Sequence, residues 1–189
     1  MPDNQHLLIR GCIAGKRASQ GKLYDLYCPR MIIVCMRYSK NREEAEEIMQ
    51  EGFYRVFKYL PQFKNSGSLE GWIRKIMVNA AVQRYQPRSQ LQAVVSIEHY
   101  NTGTDAGSDI YSIMQVKDLI RMVQSLPAAC RMVFNLYVFE GYKHREIAEI
   151  LDISEGTSKS HLHDARTILK KAIVAKKNLT RSLNNTAIE

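Results

Sequence analysis

The sequence predicts an all-α protein, two small helical domains joined by a flexible linker, on three observations. Apolar residues recur at intervals of three and four in both halves, a stretch rich in Gly, Ser, Thr and Asp without such a period separates them, and Pro and Gly stand where the periodic runs end. The 189 residues suit two modules, because domains centre on about 100 to 150 residues and small helical ones fold with fewer.

Taken in order, Leu23, Leu26, Tyr27, Met31, Val34 and Tyr38 mark a helix with one buried face. A second helix over 43–60 carries the stripe Ala45, Ile48, Met49, Gly52, Phe53, Val56 and Phe57 and ends at Pro61, which cannot extend the hydrogen-bond ladder. Residues 62–68 have loop composition, and Trp72, Ile73, Ile76, Met77 and Ala80 restart the helical period, giving three or four helices before Pro87. Residues 86–112 read as the linker, so the first domain covers 1–85 and the second 113–189. In the second, Val116, Leu119, Ile120 and Val123 form a helix that stops before Pro127. Val133, Phe134, Tyr137 and Val138 form another that stops near Gly141.

The last two helices, 144–151 and 155 to about 175, are separated only by Asp152, Ile153 and Ser154, with Ser154 placed to cap the second. That is the spacing of a helix-turn-helix (winged-helix-like) DNA-binding domain, with small Ala148 at the crossing and Ile147, Leu151, Ile153, Leu162 and Leu169 as the shared core. The outward face of the second helix offers Thr157, Ser158, Lys159, His161, His163 and Arg166, donors suited to base edges and phosphates in a major groove. An ordinary helical hairpin with a solvated polar face would show the same spacing.

Charge supports a polyanionic partner. Lys and Arg outnumber Asp and Glu by 27 to 19, and the excess sits at both ends: net +6 over 1–85, −2 over 86–112 and +4 over 113–189. Cys12, Cys28, Cys35 and Cys130 show no paired spacing and follow no signal peptide, so they read as cytosolic, mostly buried thiols. No apolar run approaches the ~20 residues of a membrane span, which argues against membrane insertion. No Gly-rich phosphate loop or nucleophile motif occurs, and His163-Asp164 is a lone pair, so neither an enzyme nor a small-molecule substrate is expected. With no companion ligands at a fitting spacing for His161 and His163, no metal and no cofactor are expected.

The run SLPAACRMVFNLYVFEGYKHREIAEILDISEGTSKSHLHDARTILKKAI resembles region 4 of the extracytoplasmic-function (ECF) sigma factors of the sigma-70 family. The resemblance implies that the helix from Glu155 reads the minus-thirty-five promoter element through Thr157, Lys159, Ser160, His161, His163 and Arg166. The same run also resembles the output domains of response regulators, which leaves a self-contained transcriptional regulator as the alternative.

Glu44, Glu47 and Glu51 fall at i, i+3 and i+7, one acidic row beside Gln50, which by itself reads equally as a solvated face or a docking face. The segment REEAEEIMQEGFYRVFKYLPQF is similar to sigma region 2, whose acidic face grips the clamp helices of the largest RNA polymerase subunit. Glu44, Glu47, Gln50 and Glu51 are by that resemblance the polymerase-binding set. The continuation FKNSGSLEGWIRKIMVNAAVQRYQ resembles the part of region 2 that captures an extruded minus-ten base and holds the melting strand. It implies roles for Phe63, Lys64, Asn65, Ser66, Arg74, Lys75, Asn79 and Arg84. The acidic residue usual before the Arg is absent, Val82 standing first in Val82-Gln83-Arg84-Tyr85, while Trp72, beside Ile73, reads as core rather than as a base-stacking platform.

The resemblance covers roughly 23–85 and 125–172, with the 27-residue linker where region 3 would stand. It implies a cytoplasmic initiation factor whose partners are core RNA polymerase (clamp helices and flap), promoter DNA and an anti-sigma factor, the last able to hold it at the inner membrane.

Overall fold

The structure, a computed structural model, describes residues 2–64, 67–86 and 110–186, with side chains over 4–64, 67–86 and 116–176. The chain forms two compact units, Met1–Gly107 and Ser108–Glu189, and every described element of regular structure is helical. Most of the linker expected over 86–112 lies outside the described residues.

The first unit contains α1 (Pro2–Ile13), α2 (Arg17–Tyr38), α3 (Arg42–Tyr59) and α4 (Leu69–Tyr85), with a 3-10 turn at Leu60–Gln62 closing α3. Its core follows the sequence stripes. Leu23, Met31, Val34 and Tyr38 of α2 meet Ala45, Ile48, Phe53 and Val56 of α3 and Trp72, Ile73, Ile76 and Met77 of α4, all buried. The Tyr24 and Phe53 rings add a tilted contact with centroids 4.6 Å apart. At Gly52 the helices approach so closely that a Cβ would stand 2.2 Å from Sδ of the buried Met77, so here glycine sets the α3–α4 distance. Asn41 caps α3 by accepting from Glu44 N–H at 2.9 Å, and Ser68 caps α4 by accepting from Gly71 N–H at 3.0 Å.

The second unit contains α5 (Ile110–Gln124), α6 (Ala128–Val138), α7 (His144–Leu151) and α8 (Glu155–Thr186). Leu126, Val133, Leu136, Ile147, Leu151, Leu162 and Ala165 are buried where α6, α7 and α8 pack together. Arg131, buried in this core, donates through Nη1 to the carbonyls of Gln124 and Leu126, each at 2.9 Å, and so ties off the end of α5. Asp152 ends α7 in the left-handed conformation (φ 54), which makes the abrupt turn into α8 possible. Ser154 then caps α8, its Oγ accepting from Thr157 N–H at 2.9 Å. No strand occurs among the described residues, so the helix-turn-helix is presented by helices alone. The last helix runs past the expected end near 175 to Thr186, because no Gly or Pro follows Gly156 to stop it.

All four cysteines are free. Burial pushes the Cys35 thiol up to about 12, an inert core group. Among the described residues no helix is long and apolar enough to cross a membrane.

Candidate polymerase and DNA interfaces

The acidic row of α3 lies on the surface, with Glu47, Gln50 and Glu51 exposed and Glu44 half-buried. Its carboxylates are engaged from two sides. Arg84 of α4 places Nε 3.6 Å from Glu44 and donates through Nη2 to Glu47, while Glu44 also accepts from Lys40 N–H at 2.7 Å. Glu51 pairs with Arg55, one turn on, at 2.6 Å, and Arg55 reaches Gln83 as well. Exposed pairs of this kind are worth ~0 to 1 kcal/mol, so a partner presenting several cations can displace them. Arg84, expected on the phosphates of a melting strand, is turned instead onto the α3 carboxylates.

Of the other residues expected at a flipped base, Phe63 is half-buried with its ring 5.3 Å from that of Trp72, and Lys64 is exposed. Asn65 and Ser66 lie outside the described residues. Arg74 and Lys75 stand half-buried on α4, and burial lowers the Lys75 ammonium below the usual lysine range. Asn79 requires a correction. It is 2% exposed among Ile76, Met77, Val78 and Ala80, so it is a core residue of α4 and offers no edge to a base. Trp72 is buried as well, with no face free for stacking.

On α8, Lys159, Ser160, His163 and Arg166 are exposed, and Thr157 and His161 are half-buried. Lys159 sits 2.7 Å from Glu155, whose carboxyl is held below the usual carboxylate range by the hydrogen bond and charge of that ammonium. Arg166 lies over the Tyr137 ring, 5.7 Å from its centroid, and His144 stacks on the same ring at 4.7 Å. Tyr137 thus carries two cationic or polar neighbours beside α8, a position that its place in an apolar period concealed.

Ser158 is the second correction. It is fully buried, its Oγ 2.9 Å from Nδ1 of His144, and joins α8 to α7 rather than facing DNA. Removing it with Ser158→Ala is expected to cost about 1 kcal/mol of stability. The melting temperature of the second unit should fall by several degrees while the salt dependence of duplex binding stays as it was. A shallower salt slope in the variant would return Ser158 to the DNA-facing set.

Comparison with known proteins matches a stretch of each unit to a region of one family. Residues 23–90 match the family model of sigma-70 region 2, and residues 117–169 match that of sigma-70, region 4. The chain is 28% identical over 156 residues to the ECF RNA polymerase sigma factor SigE of Mycolicibacterium smegmatis, covering 80% of this chain and 60% of that protein. It is 25% identical over 185 residues to the RNA polymerase sigma-H factor of Pseudomonas aeruginosa, covering 90% and 93% of the two chains. With the ECF RNA polymerase sigma factor SigW of Bacillus subtilis the identity is 26% over 170 residues, covering 84% and 91%. A solved complex of the sigma factor RpoE with the anti-sigma factor NepR from Bartonella quintana aligns at 21% identity and a TM-score of 0.46, over 81% of this chain and 95% of that one. With region 2 in the first unit, region 4 in the second, and named ECF relatives spanning both, the chain belongs to the sigma-70 family as an extracytoplasmic-function, promoter-directing sigma factor.

Proposed function

We propose a division of labour between the two units in promoter recognition. The row Glu44, Glu47, Gln50 and Glu51 docks on the clamp helices of core polymerase. Phe63, Lys64, Asn65 and Ser66, with Arg74 and Lys75 nearby, hold the extruded minus-ten base and its strand. Thr157, Lys159, Ser160, His161, His163 and Arg166 face the minus-thirty-five element in the major groove. The observation that carries this reading is the pairing of an acidic helix surface in the first unit with a capped helix-turn-helix in the second, each inside its own matched region.

Arg84 changes role within this proposal. Docking on polymerase trades its carboxylate partners for polymerase cations, and the guanidinium so released becomes available to a phosphate. The chain carries no reaction of its own in this reading: polymerase supplies the chemistry, and binding free energy offsets the cost of unpairing the first bases. An anti-sigma factor that covers the docking surfaces belongs to the same proposal, as does a cytoplasmic location.

The test is a native pull-down of the full chain with bacterial core RNA polymerase, run beside retention on duplex DNA without polymerase. Stoichiometric polymerase binding supports the proposal. Specific duplex retention with no polymerase binding would replace it with a self-contained helix-turn-helix regulator.

A further inference from the structure

Packing of α6 against α8 brings Cys130 of α6, distant in sequence, to His161 and Asp164, which lie one turn apart on α8. Cys130 Sγ lies 3.8 Å from His161 Nδ1, and one ligand atom from each of the three residues falls within 4.8 Å of the others. A tetrahedral zinc ion with ordinary Zn–S and Zn–N bonds holds its sulfur and nitrogen about 3.6 Å apart, so the Cys130–His161 spacing already suits it. The side chain of Asp164 is exposed, so a change of rotamer is open to it, and its carboxylate already lies within 4.8 Å of the other two ligand atoms. Cys130 is buried and His161 half-buried, so the cluster presents the graded exposure of a site formed at the rim of a core, with its outer side open to water.

We propose that Cys130, His161 and Asp164 form a binding site for a borderline-soft divalent cation of the zinc class, joining α6 to the DNA-reading helix. Sulfur, imidazole and carboxylate together favour zinc over magnesium or calcium, which take oxygen ligands alone. Three protein ligands leave a fourth position for water. Binding breaks the Cys130 S–H bond, and its proton passes to solvent. Thiolate and carboxylate then balance the two charges of the ion.

The consequence falls on α8. Coordination through Nδ1 fixes the His161 ring, which stands among the proposed DNA-facing residues, and pins the helix to α6 two residues beyond Lys159. Metal binding at these residues does not depend on what α8 reads, so the site and the proposed promoter contacts fail or stand separately.

The experiment is titration of the full, reduced chain with cobalt(II) as the probe, followed by displacement with zinc(II). One equivalent is expected to bind with a thiolate-to-cobalt charge-transfer band and the intense visible bands of tetrahedral cobalt, and zinc should abolish both. Cys130→Ser should remove the thiolate band. Asp164→Asn, a surface change that leaves the fold intact, should weaken affinity by about tenfold or more. The proposal is overturned by the absence of a stoichiometric complex in the parent protein, by a thiolate band that survives in Cys130→Ser, which would assign it to Cys12, Cys28 or Cys35, or by unchanged affinity in Asp164→Asn.

Discussion

Reversing Glu47 and Glu51 to lysine is expected to abolish stable binding of core RNA polymerase while leaving the first unit folded. Both residues are exposed on α3, and their described interactions are ion pairs at the surface, Glu47 with Arg84 and Glu51 with Arg55. Losing those pairs costs ~0 to 1 kcal/mol each, small against a core built from α2, α3 and α4. At a docked surface the balance differs. Each reversal replaces an attraction by a like-charge contact, and such juxtapositions cost several kcal/mol, so affinity should drop by at least about a hundredfold. Pull-down and competition against the parent chain measure the loss, and a thermal melt reports that the fold remains. Affinity within a fewfold of the parent would make the acidic row a solvated face with internal partners only.

Replacing Lys159 and Arg166 together with alanine is expected to weaken binding to an upstream-element duplex and to flatten its dependence on salt. Each cation that neutralises a phosphate contributes roughly 0.9 to the slope of log affinity against log salt, so the pair should remove close to 2. Neither residue is committed to the core. Lys159 pairs with the exposed Glu155 one turn back, and Arg166 lies across the face of Tyr137. The double variant therefore keeps the packing of Leu162 and Ala165 against α6 and α7, and its melting temperature should stay within a few degrees of the parent's. An unchanged salt slope contradicts a DNA-facing α8.

These expectations rest on surfaces legible in the sequence to different degrees. The stripes of α2, α3 and α4 and the short turn before α8 were readable because helical periodicity and capping are local signals, written within a few residues of where they act. The first helix was not. Its apolar residues crowd at Leu7, Leu8, Ile9 and Cys12, and Gly11 interrupts them where a Cβ would meet Ser19 Oγ at 2.2 Å, a close approach to α2 that only packing reveals.

Ser158 shows a signal that was present but overridden. It falls four residues before Leu162 and seven before Ala165, on the buried face of α8, and its polarity alone suggested the outward face. Asn79 sits likewise inside a run of α4 that is buried from Ile76 through Val82. The pairing of Arg84 with Glu44 and Glu47 spans 40 and 37 residues, and the Cys130–His161 contact spans 31. No local pattern encodes such contacts; they exist because α4 lies on α3 and α6 on α8.

As a sigma factor, this chain should give core polymerase its promoters. Run-off transcription of fragmented genomic DNA, with core polymerase in the presence and absence of the chain, is the decisive measurement. Discrete start sites that appear only with the chain and share one upstream and one minus-ten sequence are expected. Transcription starts that are the same with and without it, despite a folded chain, would overturn the promoter-directing role.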